Sequence, residues 1–144
     1  MSEIIVRPAR EGDFEKVHDI EREQKIFTKD ENEEVIDINE MRVHASHPNG
    51  IFLVAEDNGE VVGFIFGEKL AAAWVIASYF AVRQNYKGGD AWRLLGNAFL
   101  ARAKELGGKH VFLYAEPENK KLIKFYERFG FENTGTFVEM IKEI

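Results

Sequence analysis

The sequence predicts a mixed α/β (α+β) domain, and three observations lead there. Residues 51–56, 60–67 and 75–82 are runs of β-branched and aromatic residues with strand character. After the last of them, Ala91, Leu94, Leu95 and Ala98 recur at helical spacing. With 144 residues, 45% of them hydrophobic, the chain can bury one core, since natural domains cluster at roughly 100 to 150 residues. The expected organisation is a single domain over residues 1–144.

The elements follow in order. Ile4-Ile5-Val6 reads as a short strand stopped by Pro8, which lacks the N–H that a ladder needs. Asp13 is an N-cap candidate for a helix that turns Phe14, Val17 and Ile20 inward. Residues 28–34 are polar and acidic. A second helical pattern then runs through Val35, Ile38, Met41 and Val43 and ends at His47-Pro48-Asn49-Gly50. Asp57-Asn58-Gly59 has the residue chemistry of a tight hairpin turn between the runs 51–56 and 60–67. The strand 75–82 leads to a helix carrying Ala91, Leu94, Leu95, Ala98 and Arg102 at helical spacing, which stops at Gly107-Gly108. Residues 111–114 form the next strand. Pro117-Glu118-Asn119 opens a helix with Leu122, Ile123, Tyr126 and Phe129 on one face and Gly130 at its end. Alternation over residues 134–144 predicts a final strand or strand pair, so the sheet should be mixed.

Composition narrows the function. Nineteen basic against 25 acidic residues give a formal charge of -6, which disfavours a general nucleic-acid or anionic-membrane surface. The chain has no cysteine, hence neither a disulfide framework nor a thiolate zinc site. His44 and His47 lack a third ligand at metal-binding spacing and read as helix-end residues, so no metal is expected. No apolar run approaches the roughly 20 residues that span a bilayer, and the N-terminus lacks a signal pattern. The expected setting is cytoplasmic, with room for a homodimer.

The most informative segment is Tyr86-Lys87-Gly88-Gly89-Asp90-Ala91, where a strand breaks into paired glycines at a helix start. The first amides of a helix have no partner within it, and the helix dipole adds partial positive charge there. Such a turn suits a phosphate or pyrophosphate. An ordinary tight turn would have the same glycines. A second segment, Asn119-x-x-Leu122-Ile123-x-Phe125-Tyr126-x-x-Phe129-Gly130-Phe131-Glu132, adds to it.

Together with Arg7-Pro8-Ala9, Asp13 and the Asp-Asn-Gly-Glu hairpin, these segments give the chain, over nearly its whole length, a resemblance to the GNAT superfamily of acyl-CoA-dependent N-acyltransferases. Ala81-Val82-x-x-x-Tyr86-Lys87-Gly88-Gly89-x-Ala91-x-x-Leu94-Leu95 is similar to the family's acyl-CoA loop, usually Arg/Gln-x-x-Gly-x-Gly/Ala. With Tyr86-Lys87-Gly88 aligned to the family's Tyr-Arg-Gly, the loop is one residue short, and Gly89 and Ala91 are its small residues. The resemblance implies a mixed, mostly antiparallel sheet with a splayed parallel central strand pair and helices on both faces. It implies acetyl-CoA as cosubstrate, with its pantetheine arm beside Phe80, Ala81 and Val82 and its pyrophosphate on the amides of Lys87, Gly88, Gly89, Asp90 and Ala91. Asp90 brings a like charge to that anion, and two such charges about 5 Å apart cost on the order of 1 to 3 kcal/mol. Its side chain is therefore expected to turn away or to cap the Trp92 and Arg93 amides.

The implied reaction transfers an acetyl group to a primary amine by direct attack in a ternary complex. An alkyl ammonium titrates at about 10.4 and must lose its proton, while the departing thiol, at about 8.5, needs modest help. Tyr126 matches the family's general acid, and its other reading is a core aromatic at helical spacing. Asn119 is either a helix cap or a contact to the pantetheine arm. The base is open. Tyr114 stands where many relatives carry glutamate, Tyr79 is a second phenol, and Glu56, Glu68 and Glu116 sit on faces that alternation also gives to solvent. Water relay to Glu116 or bulk, or desolvation of the amine, would serve instead.

The acidic residues Asp30, Glu31, Glu33, Glu34, Asp37 and Glu40 fall where relatives border the acceptor. They would attract a cationic small-molecule or peptide amine, although acidic runs are commonly solvated faces. Trp74 and Trp92 read as packing residues. A non-catalytic acyl-CoA sensor or interaction domain of the same fold is the alternative, and nucleotide binding of another class at the glycine turn is a third.

Overall fold

The five apolar runs of the first 113 residues become one sheet. In the computed structural model, which describes residues 3–24 and 36–144, strands β1 (Ile4–Pro8), β2 (Gly50–Asp57), β3 (Glu60–Lys69), β4 (Trp74–Val82) and β5 (His110–Phe112) lie side by side in chain order. Strands β1 to β4 pair antiparallel, and β4 pairs with β5 in parallel. The acidic stretch 28–34, with Val35, lies outside the described residues. The chain divides into two units, Met1–Leu113 and Tyr114–Ile144.

In the first unit the burial of β2 and β3 is nearly continuous, because helices cover both faces of the sheet. Helices α1 (Phe14–Gln24) and α2 (Ile38–Ser46) press Phe14, Val17, Ile20 and Met41 against Phe52, Val54, Phe64 and Phe66. Helix α3 (Ala91–Glu105) covers Leu53, Ala55 and Ile65 with Leu95, Phe99 and Ala103. Two expectations shift by a few residues. Val43 is exposed, since it sits about 200° around the helix from Met41. Arg102 is also outside, bonded to Glu105 at 3.0 Å, and the inner stripe of α3 continues through Phe99 and Ala103.

Helix α3 seats on β3 over two glycines. A Cβ on Gly63 would lie 3.1 Å from Leu95 Cδ1, and one on Gly67 would lie 2.8 Å from Phe99 Cζ and 2.1 Å from the Ile76 carbonyl. The hairpin between β2 and β3 turns as predicted, with Asn58 and Gly59 at φ 51° and 83°. On β4, Phe66 faces Tyr79 and Gly67 faces Ala77, so Ser78 is the extra residue of a bulge. Asp13 is not the N-cap of α1. It ends a 3-10 turn, Glu11–Asp13, and its carboxylate takes the Arg10 N–H at 2.7 Å while Arg7 grips it at 2.8 and 2.9 Å.

The second unit contains α4 (Lys120–Arg128), with Leu122, Ile123, Tyr126 and Phe129 half-buried along one face. Gly130, at φ 92°, ends it: the Gly130 N–H donates to the Glu127 carbonyl at 3.0 Å and the Phe131 N–H to the Tyr126 carbonyl at 3.2 Å. That pair of bonds is a Schellman stop. The predicted final strand is absent, for residues 131–144 carry no regular element. Alternation marks which face of a strand would be apolar, but a strand also needs a ladder partner for its amides. The parallel pair β4–β5 accordingly stands at one end of the described sheet.

Candidate functional site

The glycine turn is built from the end of β4. After Val82 and Arg83 comes a 3-10 turn, Gln84–Tyr86, in which the Tyr86 N–H donates to the Arg83 carbonyl at 2.9 Å. Lys87 N–H then reaches the Gln84 carbonyl at 3.3 Å, and Gly89 N–H the Tyr86 carbonyl at 3.1 Å. The first bond of α3 runs from Leu94 N–H to the Asp90 carbonyl at 2.9 Å. Among the described residues no backbone bond closes on the amides of Gly88, Asp90, Ala91 or Arg93. These donors sit at the positive end of a 15-residue helix.

Neither glycine is demanded by the chain's own geometry. Gly88 and Gly89 do not have positive φ, and among the described residues a Cβ on Gly88 would meet nothing within 4 Å and one on Gly89 only the Tyr86 carbonyl at 3.6 Å. The space a side chain would fill is open outward, which fits a group approaching the backbone from outside. Lys87 is exposed beside it. Asp90 is exposed too, and its carboxylate lies 3.4 Å from the Arg93 guanidinium. It makes no capping bond, so the expected cap on the Trp92 and Arg93 amides does not form.

The strand residues of the site are contiguous with this turn. Phe80, Ala81 and Val82 pair with Ile65, Phe64 and Gly63 of β3, and the Phe80 ring packs on Trp92 at 4.7 Å. On the other side, pairing with β5 ends at Ile76 opposite Phe112, where β5 itself ends, so β4 runs six residues past its last β5 partner. Trp74, at the start of β4, stacks on His110 at 4.5 Å. Both tryptophans thus pack as expected.

In the second unit, Asn119 and Tyr126 share α4. The Asn119 side chain accepts from the Leu122 N–H at 3.2 Å, which makes it the helix cap. The Tyr126 ring packs between Phe125 at 5.4 Å and Phe131 at 5.8 Å, and burial pushes its phenol up to about 12. The phenol therefore stays protonated throughout the physiological range.

The candidate bases sort differently. Glu56 is engaged by Arg7, whose Nε donates to it at 2.9 Å. Tyr79 is half-buried on the α1 and α2 side, and burial together with the charges of Glu21 and Glu40 raises its phenol above the ordinary value. Glu68 is half-buried, and Glu116 and Tyr114 are exposed. Sequence reasoning passed over Glu21, a buried carboxylate on α1. Its signal was present: Val17, Ile20 and Glu21 share one inward stripe at helical spacing. Asp37 of the acidic set does structural work, capping α2 by accepting the Glu40 N–H at 2.9 Å. His44 packs on Phe66 at 4.3 Å and His47 accepts the Asn49 N–H at 3.0 Å; among the described residues no acid or histidine cluster has metal-binding geometry. No described helix is long and apolar enough to cross a membrane.

Comparison with known proteins gives a consistent result. The family model described as Acetyltransferase (GNAT) family matches residues 14–131. Ard1 from Thermoplasma volcanium is 26% identical, with a TM-score of 0.76 over 92% of this chain and 84% of that one. The PaiA N-acetyltransferase from Thermoplasma acidophilum, in complex with coenzyme A, is 18% identical with a TM-score of 0.79 over 94% and 93%. An aminoglycoside acetyltransferase from an uncultured soil metagenomic sample, in complex with sisomicin, is 18% identical with a TM-score of 0.75 over 96% and 97%. No curated protein sequence matches the chain.

Proposed function

Given that the chain belongs to the GNAT acetyltransferase family, we propose that it is an N-acetyltransferase transferring an acetyl group from acetyl-CoA to a primary amine by direct attack in a ternary complex. One observation supports this above the others: among the described residues the helix-terminal amides of the glycine turn lack backbone partners, beside two glycines that the described fold does not require. That is the arrangement a pyrophosphate needs. The coenzyme A in the PaiA neighbour is consistent with it.

In this reading Gly88, Gly89, Asp90 and Ala91 hold the pyrophosphate through main-chain amides, with Lys87 adding charge. Phe80, Ala81 and Val82 border the pantetheine arm, and Asn119 orders the start of α4. Acetyl-CoA supplies the acyl group as a thioester. Tyr126, neutral at working pH, donates a proton to the leaving thiolate. The amine proton goes to water, for Glu56 is committed to Arg7 and burial raises the Tyr79 phenol above its ordinary value. The whole of residues 1–144 acts as one catalytic domain, in the cytoplasm, without a metal. A cationic acceptor suits the acid-rich region around Asp37 and Glu40, and the sisomicin complex of a neighbour points to small-molecule amines.

An acetyl-CoA consumption screen across polyamines, aminoglycosides, amino acids and peptide N-termini tests this directly. Turnover with at least one amine is expected. Calorimetric binding of coenzyme A without turnover on any amine would favour the non-catalytic sensor, which Asp90 and the missing strand carboxylate also suit. Preference for ATP over coenzyme A would defeat both.

A further inference from the structure

We infer that Tyr86, anchored on the buried carboxylate of Asp57, is the positioning residue of the glycine turn, with Glu23 of α1 as a second anchor; the inference rests on the acyl-CoA reading of that turn. Tyr86 does not belong to the set of groups proposed to touch the cosubstrate. Its hydroxyl donates to Asp57 Oδ2 at 2.7 Å, joining the 3-10 turn to the end of β2 across 29 residues of sequence.

The bond is one-sided in a way that makes it stiff. Asp57 is buried, and its Oδ1 has no hydrogen-bond partner among the described residues. A buried carboxylate is costly unless it is bonded, so the bond from Tyr86 is the one that Asp57 must keep. The same bond, with burial behind it, raises the Tyr86 phenol above its ordinary value, so the hydroxyl stays a donor. From Tyr86 the constraint passes on at once, because the Tyr86 carbonyl accepts the Gly89 N–H at 3.1 Å. The phenol is thus fixed to β2, and the backbone of the same residue fixes Gly89.

The other end of the turn is tied as well. Glu23 accepts the Gln84 N–H at 2.9 Å and the Arg83 guanidinium at 3.2 Å. Arg83 also donates from Nε to the Val61 carbonyl at 3.2 Å. The segment leading into the glycine turn is therefore bonded to α1, to β2 and to β3. A turn that must aim several amides at one anion gains affinity when those amides are held in place beforehand.

Binding of coenzyme A by calorimetry, steady-state kinetics with acetyl-CoA, and amide hydrogen exchange test this on the full chain. Tyr86→Phe and Asp57→Ala should each weaken coenzyme A binding and raise the KM for acetyl-CoA about tenfold, with kcat unchanged. Asp57→Asn keeps an oxygen acceptor for the hydroxyl and should stay within about twofold of the parent. The double variant Tyr86→Phe/Asp57→Ala should be no worse than either single one, since the two groups act as a unit. Glu23→Ala should weaken binding in the same sense. Exchange at Gly89 should quicken about tenfold in Tyr86→Phe even without ligand. Parent-like affinity in both single variants, a fall in kcat at constant KM, or unchanged Gly89 exchange would overturn the anchor. Failure of the parent protein to bind coenzyme A would instead overturn the functional reading, and Gly89 exchange would still decide whether Tyr86 orders the turn.

Discussion

The Phe131 ring stands 5.8 Å from the Tyr126 ring, at 70°, and the amide of Phe131 closes the end of α4 on the carbonyl of Tyr126. The residue just after the Gly130 stop is thus the one that packs on the proposed acid, as a Schellman stop with its apolar contact does. Tyr126→Phe should lower kcat about a hundredfold and leave the KM for acetyl-CoA nearly unchanged. Phe131→Ala, which keeps the hydroxyl and loosens the ring, should fall between that variant and the parent. Stopped-flow or steady-state assays at saturating acetyl-CoA read both.

The pH profile carries a sign. In the proposed mechanism Tyr126 acts in its protonated form, and its phenol is pushed up to about 12, so the acid form persists as pH rises. Activity should rise with pH as more of the amine becomes neutral, and no falling limb below about pH 10 should be removed by Tyr126→Phe. A descending limb near pH 8 that vanishes in that variant would contradict the assignment.

Arg7 and Asp13 predict acid lability. Burial raises the Asp13 carboxyl, but the Arg7 guanidinium and the Arg10 amide outweigh it and hold the group below the ordinary carboxylate value. A lowered folded-state value means that the unfolded chain binds the proton more readily. The stabilisation is therefore full above the ordinary carboxylate value and drains away as pH falls through the folded one. Asp13→Asn should lose about 2 kcal/mol at pH 7, and the gap from the parent should narrow at pH 3. Urea melts at the two pH values measure this.

Two glycines should answer the same substitution in opposite ways. Gly67→Ala places a Cβ against Phe99 and the Ile76 carbonyl, and should destabilise the fold by about 2 kcal/mol. Gly88→Ala meets nothing within 4 Å among the described residues and should leave stability within about 0.5 kcal/mol. Its cost should appear only in coenzyme A affinity. Thermal melts paired with calorimetry separate the two outcomes.

Asp90 opposes the anion that its own amide is proposed to bind. Its pair with Arg93 is exposed at 3.4 Å, so Asp90→Asn should change stability by less than about 0.5 kcal/mol. Coenzyme A should bind about threefold tighter, with the gain shrinking at high salt. Weaker binding in this variant would show that the carboxylate helps the site through Arg93.

What was legible in the sequence was local. Asn58-Gly59, the inner stripe from Phe14 to Ile20, the cap at Asn119 and the stop at Gly130 each follow from neighbours within a turn or two. The missing terminal strand and the true employment of Glu56 and Tyr86 depend on partners far along the chain. Glu56 is taken by Arg7 at a separation of 49 residues, and Tyr86 by Asp57 at 29. Nothing in a pattern of period 2 or 3.6 encodes such a pairing. Glu21 is the exception, since the sequence itself sets this buried carboxylate on an apolar helical stripe with Val17 and Ile20.

The seat of α3 over Gly63 and Gly67 has a consequence for kinetics. With Leu95 and Phe99 set into the gaps left by two missing side chains, the helix has little freedom to slide along β3 or lift from it. Its N-terminus keeps a fixed address at the end of β4, and the pyrophosphate proposed to bind there would meet donors that need no rearrangement. Capture should then proceed at a rate set by collision and charge, with little heat-capacity change beyond the apolar area covered.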